Sequence, residues 1–214
     1  MTEKPCNVAV FASGTGTNFR AIAEACRSGR IPARVACLIT DRPDAGALEI
    51  ARSFEIPSHV IDVKTKKAGL LPEVEEDCVR LCREHGTDVV ALAGFMRILK
   101  GPLLNAFDGR IMNIHPSLLP SFKGLDAVQQ ALDYGAKVVG CTVHFVDQTI
   151  DGGAIILQAA VSVGEGESED EILGKVHKEE HRIYVEAIGL FAAGRLRRDG
   201  RRVRIVDPVT PDNR

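Results

Sequence analysis

The chain carries no excess of charge of either sign: 27 lysines and arginines stand against 29 aspartates and glutamates, a formal net charge of -2. A dedicated nucleic-acid binder needs surplus cations to displace phosphate counterions, so this near balance argues against one. Long apolar runs are missing too. The longest, Val89 to Met96, is interrupted by Gly94 and falls far short of the roughly 20 residues that span a bilayer. The start, Met1-Thr2-Glu3-Lys4-Pro5 leading into Cys6 to Ala12, lacks the basic stretch, apolar stretch and cleavage site of a signal peptide, so a cytoplasmic location is expected. Six cysteines (Cys6, Cys26, Cys37, Cys78, Cys82, Cys141) show no CxxC pairing. A chain of this size needs no covalent staples, which favours reduced thiols over disulfides. Cys78 and Cys82, one helical turn apart, read as buried helix positions rather than metal ligands. No internal repeat and no linker interrupts the sequence.

What is present is ordinary globular material: 214 residues, 45% hydrophobic and 26% charged, enough for one large domain with a full core. β-rich runs (Asn7 to Ala12, Arg34 to Thr40, His59 to Asp62, Asp88 to Ala93, Arg110 to His115) alternate with helical stretches (Asn18 to Arg27, Ala45 to Phe54, Pro72 to Glu84, Leu99 to Phe107). That alternation predicts an α/β, Rossmann-like fold, a mostly parallel sheet with helices on both faces. After a helix over Leu125 to Tyr134, the runs Val138 to Asp147 and Ala154 to Val163, joined through Asp151-Gly152-Gly153, read as an antiparallel C-terminal strand pair. A last helix is expected over Glu169 to Ala193, with Ser168 and Glu171 at capping-box spacing, so the acidic run Glu165 to Glu171 is helix-start chemistry. Residues 1–195 form one domain in this reading and 196–214 a hairpin or tail. There Arg195, Arg197, Arg198, Arg201, Arg202 and Arg204 straddle Asp199-Gly200, a two-residue hairpin signal without the aromatics that stack on bases.

Four places carry candidate chemistry. Ser13-Gly14-Thr15-Gly16-Thr17-Asn18 lies between the first strand and the first helix, where freed N–H groups and the helix dipole favour an anion. Phe19 stands where the dinucleotide fingerprint needs its last glycine, and the Walker lysine is absent, so a single phosphate fits better than either; an unliganded tight turn fits equally well. In Asn113-Ile114-His115-Pro116 strand alternation puts an amide donor and an imidazole on one face, at the strand end where α/β clefts form. They suit an oxyanion, or a satisfied structural pair. Asp151 reads as a turn carboxylate or as the partner of His115. Thr142 and His144 share a face and either line the same cleft or bond to each other. Finally, His177-Lys178-Glu179-Glu180-His181 matches the H-x-x-E-H pattern of inverted zinc peptidases, but the surrounding βα alternation is wrong for that class.

Taken in order, Ala12-Ser13-Gly14-Thr15-Gly16-Thr17-Asn18, Ala93-Gly94-Phe95-Met96-Arg97-Ile98-Leu99, Asn113-Ile114-His115-Pro116-Ser117-Leu118-Leu119-Pro120, and Thr142-Val143-His144-Phe145-Val146 followed by Asp151-Gly152-Gly153 resemble the phosphoribosylglycinamide formyltransferases, a folate-dependent formyltransferase family. The resemblance spans nearly the whole chain. It implies transfer of a formyl group from 10-formyltetrahydrofolate to the glycinamide amine, a step of purine synthesis. Methionyl-tRNA formyltransferase and formyltetrahydrofolate deformylase share the Asn, His and Asp constellation but not the glycine loop at this place, and each would add a domain for which 214 residues leave no room.

Carried over, the resemblance makes Asn113, His115 and Asp151 catalytic. It assigns the backbone of Gly16, Thr17 and Asn18 to the substrate phosphate, and Glu180 to the glycinamide portion, which accounts for Glu180 without zinc. Met96, Arg97, Ile98 and Leu99 line the folate cleft largely through backbone and apolar contacts, and Asn113 touches both formyl group and folate. Where the family often has a folate-tail arginine this chain has Leu70-Leu71, with Lys66 or Lys67 as substitutes. Asn113 and protonated His115 would stabilise the tetrahedral oxyanion, each aimed donor being worth roughly 3 kcal/mol. Asp151 would hold His115 cationic and help move the proton from the attacking amine to the leaving nitrogen. The implied partners are small molecules, with no metal, nucleic acid or membrane.

Overall fold

The computed structural model describes residues 4–65 and 67–207, so Lys66 and the end of the tail lie outside the described residues. The first half runs β1 (Cys6–Phe11), α1 (Thr17–Arg27), β2 (Ala33–Thr40), α2 (Ala47–Ser53), β3 (Ser58–Val60), α3 (Pro72–Glu84), β4 (Val89–Leu92), α4 (Pro102–Ala106) and β5 (Ile111–His115). The second runs α5 (Ala127–Asp133), β6 (Val138–Phe145), β7 (Ile155–Ser162), α6 (Glu169–Ala192), β8 (Leu196–Asp199) and β9 (Arg202–Ile205).

Side chains alternate across a strand, and here both faces are apolar because both are covered. Val8 and Val10 of β1 and Val89 and Ala91 of β4 pack with Phe19, Ile50, Val128 and Ile183, so α1, α2, α5 and α6 lie on that side. Ala9, Phe11, Val90 and Leu92 face the other way, onto Val74, Cys78 and Cys82 of α3 and Leu103 of α4. All six cysteines are free thiols, and burial pushes those of Cys78 and Cys37 up to about 12.

The sheet has the order β3-β2-β1-β4-β5-β6-β7-β9-β8. Its first five strands are parallel, while β6 is antiparallel to β5 and β7 to β6. The chain winds outward from β1 to β3 and then returns to place β4 on the other side of β1. Connections therefore diverge between β1 and β4, and the crevice at the carboxyl ends of such strands is where α/β sheets take ligands. The Ala12–Gly16 and Ala93–Leu99 segments both leave the sheet there.

Three local expectations shift. Residues 99–101 are not helical: α4 begins at Pro102, whose fixed φ suits a first helical position. The preceding turn is instead held by the buried Glu75 carboxylate, which accepts from Lys100 N (2.8 Å), Gly101 N (3.1 Å) and Leu103 N (3.0 Å). α5 starts at Ala127 rather than Leu125, because Asp126 has φ 53. In the terminal hairpin Asp199 pairs with Arg202, so the two turn residues are Gly200-Arg201, one later than expected, with Gly200 taking the positive φ of 56. The hairpin continues the sheet through the Ile155–Arg202 pairing. The capping box at Ser168 and Glu171 is formed as its spacing predicted.

Candidate active site

At the carboxyl end of β5 the antiparallel register with β6 sets Asn113 opposite His144 and His115 opposite Thr142. Four polar side chains thus converge from two strands.

His144 is almost wholly buried, and its Nδ1 lies 2.9 Å from the Phe145 carbonyl oxygen, which can only accept. Nδ1 therefore carries the proton, and the Nε2 lone pair accepts from Asn113 Nδ2 at 3.2 Å. Burial holds the His144 imidazole below its ordinary pKa, consistent with this neutral acceptor. The contact fixes the Asn113 amide with its nitrogen toward His144 and leaves its second N–H for another acceptor.

His115 is held differently. Its Nε2 lies 2.9 Å from the carbonyl oxygen of Phe122, so that nitrogen is protonated, and its Nδ1 lies 3.6 Å from Asp151 Oδ2. Thr142 shapes the segment that brings Phe122 there: its hydroxyl donates to Ser117 O (2.6 Å) and accepts from Leu119 N (3.1 Å) and Gln158 Nε2 (3.0 Å). Thr142 and His144 thus do not bond to each other.

Asp151 sits in the β6–β7 connection at φ 47, with Oδ2 accepting from Gly124 N (2.9 Å) and Oδ1 3.7 Å from His144 Nε2. Two neighbours hold this turn. A Cβ on Gly153 would lie 1.7 Å from the Phe145 carbonyl oxygen, so only glycine lets the chain pass, and Arg201 donates to the Gly152 carbonyl at 2.9 Å.

Beside this triad lies the glycine loop. Gly16 caps α1 at φ 78 without a side-chain bond, and a Cβ there would meet Ala47 Cα at 2.9 Å. The first N–H groups of α1 have no partner within the helix, and its first turn holds no acidic residue. Asn18 Nδ2 donates to Glu180 Oε2 at 2.9 Å, while Asn18 Oδ1 is buried without a partner. Burial raises the Glu180 carboxyl above its usual range, opposed by the Asn18 hydrogen bond and by the nearby His177 and His115 imidazoles. α6 carries Glu180 and is pinned one turn later: the Tyr184 hydroxyl lies 3.0 Å from both the Leu92 and Met112 carbonyl oxygens. Through Glu180, which bonds Asn18 and lies near His115, the glycine loop adjoins the cluster of Asn113, His115 and Asp151.

Residues 6–188 match the formyl transferase family. The chain belongs to this family. The phosphoribosylglycinamide formyltransferase of Bacillus subtilis is 43% identical over 182 residues, 84% of this chain and 91% of that protein. The trifunctional purine biosynthetic protein adenosine-3 of Bos taurus is 42% identical over 91% of this chain, which spans only 19% of that protein. Among solved structures, glycinamide ribonucleotide transformylase 1 from Symbiobacterium toebii superposes with a TM-score of 0.91 at 49% identity, covering 96% of each chain.

In this formyl transferase the Met96–Leu99 segment divides by burial. Met96 is 61% exposed at the mouth, and Leu99 points into the core. Ile98 uses its backbone to accept from Leu70 N (3.1 Å) and donate to Ala68 O (2.9 Å). Arg97 turns inward, its Nε donating to Asp41 Oδ2 at 2.6 Å and its Nη1 to Lys67 O at 2.9 Å. Asp41, Phe122 and Gly124 escaped the sequence reading, and Arg201 was read only as a hairpin arginine; Asp41 alone left a signal, as a carboxylate at the carboxyl end of a parallel strand. Of the H-x-x-E-H pattern, Glu180 faces Asn18 and His181 Nε2 is buried without a partner. Among the described residues no group of three or more His, Cys, Asp or Glu side chains is placed to hold a metal.

Proposed function

We propose that this formyl transferase moves the formyl group of 10-formyltetrahydrofolate to the amine of 5-phosphoribosylglycinamide, giving formylglycinamide ribonucleotide and tetrahydrofolate in de novo purine biosynthesis. The observation that carries the reading is Glu180, which bonds Asn18 of the glycine loop on one side and lies near His115 of the Asn113, His115 and Asp151 cluster on the other. The α1 N–H groups take the phosphate. Glu180 and the unpartnered Asn18 Oδ1 accept hydrogen bonds from the middle of the ribonucleotide, which brings its amine to β5.

Negative charge develops on the formyl oxygen as the amine adds. The second Asn113 N–H, aimed by His144, donates to it, and the His115 imidazolium, held between the Phe122 carbonyl and Asp151, adds its positive charge. Asp151 stabilises the imidazolium and takes part, directly or through water, in moving the amine proton to the leaving folate nitrogen. Met96 and the backbone around Arg97 and Ile98 wall the folate side, and no metal takes part. This reading has a cytoplasmic enzyme acting on small molecules, without nucleic acid or membrane; among the described residues no helix is long and apolar enough to cross one.

Purified protein mixed with glycinamide ribonucleotide and 10-formyltetrahydrofolate in metal-free buffer tests it. Formylated ribonucleotide and tetrahydrofolate should appear in equal amounts. Formate released without formylated product would instead indicate a hydrolase.

A further inference from the structure

Between the glycine loop and the folate-side segment lies a buried ion pair that none of the catalytic roles uses. Asp41 stands just beyond β2 with its carboxylate 2% exposed, and its two oxygens are divided between two segments. Oδ1 accepts from the Ser13 hydroxyl at 2.5 Å, and Oδ2 accepts from Arg97 Nε at 2.6 Å. Ser13 in turn accepts from Met96 N at 2.9 Å and donates its own backbone N–H to Gly94 O at 3.1 Å. Arg97 extends the network to Lys67 O in the stretch between β3 and α3. A cavity of about 370 Å³ opens directly on these groups, lined by Ser13, Asp41, Met96 and Arg97 among others.

We propose that Asp41 is a positioning residue that couples the two substrate subsites, so that ordering the ribonucleotide loop pre-orders the folate wall and the reverse. The inference rests on the function proposed above. Its physical basis is that a buried charge pair cannot lose one partner without leaving the other unpaired, so Ser13, Asp41 and Arg97 move together or not at all. Ser13 is the first residue of the loop that reaches Gly16, and Met96 and Arg97 begin the folate-side segment. A ligand that immobilises either end bears the ordering cost of the shared network, and the second ligand then meets a wall already set. Coupling of this kind is reciprocal.

Calorimetric titration of the full chain tests it. Glycinamide ribonucleotide is titrated into the protein alone and into protein saturated with tetrahydrofolate, and the two ligands are then exchanged. The wild type should show Kd lowered about tenfold by the other ligand, equally in both orders. Asp41→Asn keeps the shape but cannot hold both neighbours, and Ser13→Ala cuts one branch only, leaving a second variant should the first fail to fold. In each the ratio should fall toward one, while either ligand alone binds within about threefold of wild type. Steady-state kinetics should show both KM values raised and kcat at saturation little changed, a split that general loss of structure would not produce. A wild-type ratio of one, or a ratio kept in both variants, overturns the coupling. Failure of wild type to bind either ligand overturns the functional reading itself, before any ratio is formed.

Discussion

Replacing Asp151 by asparagine removes one charge and little else. Asparagine tolerates the left-handed backbone at φ 47 as aspartate does. Its amide oxygen can keep the 2.9 Å bond from Gly124 N, and its amide nitrogen then takes the place of the present Oδ1, 3.7 Å from His144 Nε2. Folding stability should therefore stay within about 0.5 kcal/mol of wild type. The charge itself sits 3.6 Å from His115 Nδ1, with side chains 12% and 6% exposed. At an effective permittivity of about 20, unit charges at that separation attract by about 4 to 5 kcal/mol. Desolvation of the pair takes back part of this, leaving about 2 to 4 kcal/mol of stabilisation for an imidazolium formed beside the reacting centre. Lost from the transition state, that is a fall in kcat of about 30-fold to 10³-fold. Glycinamide ribonucleotide KM should hold, because the phosphate is gripped at Gly16–Asn18. Steady-state kinetics read the rate, and ring-nitrogen NMR of His115 reads whether Nδ1 carries a proton. A kcat within about threefold of wild type, less than 1 kcal/mol of barrier, would remove Asp151 from the chemistry; loss of activity with His115 protonation unchanged would remove its electrostatic role.

Glu180→Gln should raise the melting temperature of the unliganded protein at neutral pH while weakening ribonucleotide binding. The carboxylate is held above its usual range by burial, so its ionisation costs stability as pH rises through that window, and an amide avoids the cost while still accepting from Asn18. An unchanged melting temperature, by thermal scan at pH 7, would count against it. His144→Phe keeps the bulk but leaves Asn113 unaimed, and should lower kcat about tenfold. Because burial lowers the His144 pKa, the unfolded chain binds the proton that the folded one refuses; wild type should lose stability as pH falls below about 6.5, and the variant less. Denaturant titrations at several pH values compare the two. Gly16→Val places a Cβ 2.9 Å from Ala47 Cα at φ 78, and should cost about 1 to 3 kcal/mol of stability while weakening the ribonucleotide. Tetrahydrofolate measured alone should still bind; equal loss of both would argue against a local phosphate role.

Much of this protein is determined along the chain itself. Alternating faces in runs such as Val8–Phe11 and Val89–Leu92 specify strands covered on both sides, and the regular spacing of helices between them specifies parallel pairing. The Ser168 capping box and Pro72 helix start are set by residues within four positions of each other. Even the pairing of Asn113 with His115 follows from strand alternation, since a period of two is a local property. What the sequence could not decide was which nitrogen of His144 is protonated, because that depends on the Phe145 carbonyl and on an antiparallel register 31 residues away from Asn113. The inward turn of Arg97 was equally hidden: an exposed cation and a buried ion pair read alike until the fold brings Asp41, 56 residues distant, within 2.6 Å. The same holds for Gly124 and Arg201, whose backbone amide and guanidinium hold Asp151 and its turn. Such contacts are made between elements, and their geometry exists only once crossover connections have closed around β1 and β4; the residue types announce the chemistry, while the sheet order sets the distances.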